Sequence, residues 1–320
     1  MNNLLINKYK PKFIENVKNL DKNYIDLINI LIKNSNINIL ITGKIGTGKS
    51  NVINIIVNKY YDTHIDINNN ENILCINSLK EQGISYYRTE LKTFCQTKSS
   101  LNNKKKCVIL DDFHLLNEQG QQIFRNYIDK YNKNVNFIAT TSNIQNIINN
   151  IQSRLYIIEL KKISKSDIYE LSNKIIKNEN ININDTTLEK LICLSNLSPI
   201  KIINFFQKII LINQEINEKN IYLICSNISE EQLISYTKLC KDGNFDKAIC
   251  ILNDMFDNGY SVIDILDGYY KFLNTTNIIS DDNKYKIIKI ICKYIIKFNY
   301  LHENIVELSF LTNNIISIFN

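Results

Sequence analysis

The chain has no tryptophan, two prolines, eight glycines and three arginines in 320 residues. No stretch approaches the roughly 18 consecutive apolar residues that a membrane-spanning helix needs. Met1 to Pro11 lacks an apolar core of signal-peptide length, so secretion is not expected. The eight cysteines, at 75, 95, 107, 193, 225, 240, 250 and 292, form no C-x-x-C pair. A zinc site or a disulfide framework is therefore unsupported, and the thiols read as free and buried in an intracellular protein. No short-period repeat and no long linker interrupts the chain.

Asparagine (51), isoleucine (62) and lysine (35) are abundant instead. This excess looks like the codon bias of an AT-rich genome, such as that of a giant virus or a protist, and says nothing about mechanism. The apolar share of 44% excludes wholesale disorder. A net charge of +6 permits a nucleic-acid partner without arguing for one. At about 150 residues per domain, the length suggests two or three domains.

Short apolar runs alternate with helical patterns in the first half. Residues 38–42, 73–76, 107–110, 136–139 and 155–160 read as buried strands. Residues 50–60, 84–94 and 118–131 read as the helices between them. Strands alternating with helices predict a parallel sheet covered on both faces. Beyond about 161 the strand signal stops. Residues 166–177, 185–193 and 200–211 read as amphipathic helices, with Ser164 and Asp185 as N-caps. Five more helices follow, over 230–242, 245–258, 262–273, 284–298 and 304–318, with Gly243 and Gly259 as stops. The lysines of 284–298 read as a solvated face, and Lys104 to Lys106 as a polar loop before a strand.

Gly43-Lys44-Ile45-Gly46-Thr47-Gly48-Lys49-Ser50 fits G-x-x-x-x-G-K-[ST] and holds three of the eight glycines. A loop that wraps its backbone N–H groups around phosphate oxygens has little room for a Cβ. The helix that follows points its positive end at the anion. Lys49 is expected to reach the β- and γ-phosphates, and Ser50 to ligate Mg²⁺. Cys107 to Asp112 is a buried strand ending in two carboxylates. Asp111 is expected to hold Mg²⁺, and Asp112 to polarise the attacking water. His114 reads as a packing or loop residue, and His64 and His302 have no ligand-like company.

From these motifs outward the chain resembles the small subunits of replication factor C, the clamp loaders of the AAA+ ATPases. Lys8-Tyr9-Lys10-Pro11-Lys12 resembles the family opening K-Y-R-P-K, which lies over the nucleotide. Residues 77–94 resemble N-A-S-D-E-R-G-I-x-x-V-R-x-K-I-K-x-F. Residues 110–131 are similar to L-D-E-A-D-x-L followed by Q-Q-A-L-R-R-x-M-E-x-Y. Residues 147–154 are similar to I-I-x-P-I-Q-S-R, and 243–266 to the first collar helices. All three arginines, Arg88, Arg125 and Arg154, fall on family arginine positions in a chain that otherwise uses lysine. Lysine lacks the planar fork that grips phosphate at two points.

The resemblance implies an α/β fold: an AAA+ P-loop domain with a five-stranded parallel sheet (1–160), a helical lid (161–225) and an all-α collar (226–320). It implies ATP and Mg²⁺ as ligands. The ATP contacts fall on Ile6, Lys10, Gly43 to Asn51 and Lys201. It makes Lys49, Asp111, Asp112 and Ser142 catalytic. Arg154 would act in trans as an arginine finger on a neighbour's ATP. Arg88 and Lys92 would meet the template-strand backbone, and Arg125 would link the ATP site to that helix. The implied partners are other replication factor C subunits in a hetero-pentamer, a sliding clamp and primer–template DNA. The implied location is the nucleus or, for a virus, the host cytoplasm or viral replication site.

Several departures qualify the expected chemistry. Asp112 replaces the family glutamate. Ser142 aligns with the first-sensor asparagine, with Asn143 one step on. Leu197-Ser198-Pro199-Ile200 replaces G-D-x-R, so Ile200 stands for the arginine and Lys201 follows. Lys10 replaces the opening arginine. These changes favour tight binding with slow hydrolysis. A scaffold subunit that holds ATP and donates Arg154, or another AAA+ initiator or helicase loader, are the alternatives.

Overall fold

The computed structural model describes residues 4–62, 70–77, 84–101, 103–212, 221, 228–298 and 300–319. The chain divides into two compact units, 1–216 and 217–320.

In the first unit, strands β1 (Ile39–Gly43), β2 (Ile73–Asn77), β3 (Lys106–Asp111), β4 (Val135–Thr141) and β5 (Tyr156–Leu160) form one sheet in the order β2-β3-β4-β1-β5. Every pairing is parallel. Alternate residues of the central strands enter different cores, whereas the edge strand β5 buries only Ile158 and Leu160, on one side. Ile39 and Ile41 of β1, with Cys107 and Ile109 of β3, join the cluster under α2 (Lys22–Lys33) and α3 (Lys49–Tyr61). Leu40, Val108, Leu110, Phe137 and Ala139 join the opposite cluster, beneath α4 (Ile84–Gln96) and α5 (Glu118–Tyr131). Burial on both faces explains why the central strands read as continuous apolar runs.

A short helix α1 (Leu5–Tyr9) precedes the sheet, and a single turn, α6 (Asn149–Gln152), precedes β5. Helices α7 (Lys165–Glu179), α8 (Asp185–Leu194) and α9 (Pro199–Ile212) complete the unit. The Ser164 hydroxyl accepts from the Asp167 backbone N–H, as a cap should. The cap of α8 is Asn184, not Asp185, which is the first helical residue instead. An acidic residue in the first turn suits the helix dipole and so resembles a cap in sequence. Lys106 is also not a loop residue: it opens β3, is 6% exposed, and donates to Thr97 Oγ1 at 2.6 Å beside the Phe94 ring. Its long aliphatic stem lets a lysine start a buried strand.

The second unit is helical in its described residues: α10 (Glu230–Lys241), α11 (Phe245–Asp257), α12 (Val262–Thr275), α13 (Asp281–Phe298) and α14 (Val306–Phe319). Its core gathers Tyr236, Leu252, Met255, Leu266, Tyr269, Ile291 and Ile315. Gly243 (φ 71°) and Gly259 (φ 94°) follow the ends of α10 and α11 in the left-handed region, where a helix stop needs glycine. No helix among the described residues is long and apolar enough to cross a membrane.

Candidate functional site: a phosphate cradle at the sheet edge

The site lies at the carboxyl ends of the three central strands. Strand β1 runs into the glycine-rich loop, which feeds α3. Strand β3 delivers Asp111 and Asp112, and β4, between them in the sheet, delivers Thr140, Thr141 and Ser142. Crevices at strand carboxyl ends are where open parallel sheets bind ligands.

Gly46 and Gly48 adopt φ of +82° and +92°. A Cβ on Gly48 would meet open space, whereas one on Gly43 would press to 2.9 Å from the Leu160 carbonyl. Gly48 caps α3 without a side chain, leaving the helix's first N–H groups free for an anion. Thr47 Oγ1 donates to the Lys44 carbonyl at 2.8 Å. The Lys49 ammonium donates to the carbonyls of Gly43 (2.9 Å) and Lys44 (3.2 Å) and is 8% exposed. Burial lowers its pKa, while Asp112 and Asp111 act in the opposite sense. An arriving polyphosphate would add negative charge and favour the ammonium further.

Ser50 Oγ lies 3.3 Å from Asp111 Oδ2 and donates to it. Asp111 Oδ1 also accepts from Thr140 Oγ1 at 2.6 Å, and Thr140 Oγ1 accepts from the Asp112 backbone N–H at 2.9 Å. Asp112 takes a left-handed φ of 52°. The Ser50–Asp111 pair fits Mg²⁺, which takes one or two protein oxygens and fills its shell with phosphate and water. Among the described residues no cluster of three or more His, Cys, Asp or Glu could hold a metal alone. The donor set therefore fits a cation brought with a nucleotide rather than a resident one.

Ser142 Oγ is 2.9 Å from His114 Nε2. Asn143 instead caps a short turn, its Oδ1 accepting from Gln145 N at 3.0 Å. The departures in the lid meet the loop directly: Ser198 Oγ would be 3.1 Å from a Cβ on Gly46. Leu197 sits at φ 59°, a left-handed position at which the resembled motif carries glycine. Ile200 is 43% exposed and Lys201 is exposed on α9.

The opening segment is tied down beside the loop. Leu5 N donates to Gln207 Oε1 at 2.8 Å, and Tyr9 Oη to Glu179 Oε1 at 2.7 Å. Ile6 is half-buried and Lys10 exposed. Asn51 Nδ2 donates to the Pro11 carbonyl at 3.4 Å.

Arg154 lies beyond α6, outside this crevice. Its Nε donates to Asp129 Oδ1 at 2.6 Å and its Nη1 to the Asn150 carbonyl at 2.6 Å. Arg125 Nε is 3.8 Å from the other Asp129 oxygen. The Arg154 bond holds the Asp129 carboxyl below its ordinary pKa. Lys92 is exposed on α4. The backbone of Arg88 lies on the same helix, but its side chain and residues 78–83 of that motif lie outside the described residues.

Sequence reasoning missed three supports. Thr140 was signalled only by its polarity in an apolar strand. Asp129 lies in the motif quoted above but gave no sign of its partner. Asn19 gave no local signal: it is 8% exposed, and its Nδ2 donates to the carbonyls of Thr47 (3.0 Å) and Lys161 (3.1 Å). It pins the phosphate loop to the end of β5.

Comparison with known proteins bears on both units. Residues 39–162 match the model for the ATPase family associated with various cellular activities (AAA). Residues 228–296 match the replication factor C C-terminal domain. A protein of Acanthamoeba polyphaga mimivirus that carries the name replication factor C small subunit is 28% identical over 89% of this chain and 88% of its own. The replication factor C small subunit of Methanococcus maripaludis is 29% identical over 82% of each chain. Replication factor C subunit 4 of Schizosaccharomyces pombe is 24% identical over 89% of this chain and 82% of its own. Among solved structures, a DNA polymerase III gamma subunit-related protein of Thermotoga maritima aligns with TM-score 0.53 at 12% identity, over 92% of this chain and 97% of its own. Thermotoga maritima RuvB aligns with TM-score 0.51 at 13% identity, over 72% and 78%. These structural likenesses bear on fold alone, and the fold is that of the AAA+ ATPases.

Proposed function

We propose that the chain is a clamp-loader subunit of the replication factor C small-subunit family of AAA+ ATPases, and that it binds and hydrolyses ATP to load a sliding clamp onto primer–template DNA. The observation that carries the proposal is the joining of Lys49, the Gly46–Gly48 cradle and the Ser50–Asp111 pair at one sheet edge.

In this reading the loop's N–H groups and the α3 terminus bind the polyphosphate, and Lys49 neutralises its outer charge. Mg²⁺, when bound, supplies further charge neutralisation at Ser50 and Asp111. Asp112 accepts the proton of the attacking water, and Ser142 contacts the terminal phosphate. Ile6, Lys10 and Lys201 complete the nucleotide's surroundings. Arg154 reaches a neighbour's ATP once the hetero-oligomer forms. Arg88 and Lys92 meet the DNA backbone, a contact without sequence preference and sensitive to salt. The work done is conformational: binding shapes the ring and hydrolysis releases the closed clamp. The mimivirus relative supports a viral replication setting.

The test is reconstitution with the other loader subunits of the same genome. ATP-dependent retention of the clamp on primed DNA is expected. Retention without nucleotide, or none with it, refutes the proposal. A second reading, a subunit that holds ATP but turns it over slowly, is favoured by the shorter Asp112 and by exposed Ile200. Single-turnover hydrolysis by the complex should rise with Asp112→Glu if the site is merely attenuated, and stay flat if the subunit is a scaffold.

A further inference from the structure

His114 and Ser142 form a pair whose imidazole the chemistry above leaves without a task. Strand β4 lies between β1, which ends in the phosphate loop, and β3, which ends in the two aspartates. Ser142 immediately follows β4, so it stands at the mouth of that crevice. His114 lies two residues beyond Asp112, in the short turn Phe113–Leu115. Its Nε2 is 2.9 Å from Ser142 Oγ, and its Nδ1 is buried without a hydrogen-bond partner.

A neutral imidazole has one N–H and one bare nitrogen. A buried N–H lacking an acceptor is rarer than an unused lone pair. The proton therefore belongs on Nε2, where it donates to Ser142 Oγ. A hydroxyl that accepts this bond keeps its own hydrogen free to donate. Asn143, the neighbouring polar residue, is already engaged with Gln145 and Asn146.

We propose that His114 is a positioning residue that fixes Ser142 as a hydrogen-bond donor to the terminal phosphate of a bound nucleoside triphosphate. The proposal rests on the crevice being a nucleotide site. It gives Ser142 a donor's role that a lone hydroxyl, free to rotate, would fill only part of the time. The imidazole acts through the serine and need not touch the nucleotide.

Two measurements on the full chain test it. Nitrogen-15 spectra of the three histidines, with His114 assigned by its loss in His114→Gln, should show a protonated Nε2 and a bare Nδ1 at neutral pH. Ser142→Ala should move the Nε2 signal. In equilibrium binding with Mg²⁺, Ser142→Ala and His114→Leu should each weaken ATPγS roughly 10- to 100-fold, the range of a hydrogen bond to a charged group, and leave ADP unchanged. The double variant should lose no more than either single one. His114→Gln, which keeps an N–H at that end, should recover much of the loss. A proton on Nδ1, or an unaltered ATPγS-to-ADP ratio in both Ser142→Ala and His114→Leu, overturns the proposal. Wild-type chain that binds neither nucleotide overturns the nucleotide reading as well, which separates the two failures.

Discussion

Thr140 offers a direct test of how the acidic edge of the crevice is held together. Its side chain is fully buried, donates to Asp111 Oδ1 at 2.6 Å and accepts from the Asp112 N–H at 2.9 Å. Thr140→Val keeps the shape and removes both bonds. Losing a hydrogen bond to a charged group costs roughly 1.5–3 kcal/mol, and a partly buried N–H left without its acceptor costs roughly 1–3 kcal/mol. The extra apolar contact of the new methyl offsets about 0.8 kcal/mol. The net destabilisation should therefore be about 2–5 kcal/mol. Hydrogen exchange by mass spectrometry is the suitable assay, because unfolding of a two-unit chain need not be two-state. The peptide spanning residues 106–116 should exchange roughly 30- to 4,000-fold faster, since each 1.4 kcal/mol is about tenfold. Thr140→Ser keeps the oxygen and should restore most of the protection. Unchanged exchange across that peptide in Thr140→Val would refute the reasoning, because the bonds would then carry no free energy.

Gly48→Ala should cost about 1–2 kcal/mol in stability from its left-handed φ and weaken nucleotide binding measured by titration, because relieving that strain shifts the loop N–H groups that precede α3. Asn19→Leu should strand the Thr47 and Lys161 carbonyls and cost roughly 1–3 kcal/mol, read as a lower midpoint in urea followed by circular dichroism. Arg154→Ala in the reconstituted complex should slow the neighbouring site roughly 10³- to 10⁵-fold without changing its own chain's affinity for ATP. The Arg154–Asp129 pair should be insensitive to pH between about 5 and 8. Asp129's depressed pKa means that its contribution is present above the ordinary carboxylate value of 3.8 and lost only as the pH falls through the lower folded value, which a titration of the Arg154 Nε signal will follow.

The fold was legible where one residue type answers to one local requirement. Both faces of the central strands are buried, so each of these is a short apolar run, and all five runs proved to be strands, the edge strand β5 with one face exposed. The left-handed stops at Gly243 and Gly259 were legible for the same reason, since glycine alone adopts that conformation freely. Legibility failed where one residue type serves two needs. Asp185 suits both a cap and a first turn, and Lys106 both a polar loop and a strand whose ammonium finds a hydroxyl.

The phosphate loop illustrates the same division within the site. Its cradle is backbone, its glycines are dictated by φ, and its lysine and serine follow at fixed spacing, so eight consecutive residues disclose the whole device. What surrounds it is assembled across the sheet. Thr140 meets Asp111 from the next strand, His114 meets Ser142, and Asn19 reaches Thr47, while outside the crevice Asp129 claims Arg154. Each of these pairs joins residues about 25–30 positions apart, so no local pattern can announce it. Strand order makes the connection: because β4 is threaded between β1 and β3, anything placed just past its end must face phosphate on one side and carboxylate on the other. A hydroxyl there can serve either neighbour, and the group behind it decides which. That is why the imidazole behind Ser142 bears on the chemistry although neither residue belongs to the phosphate-binding motif.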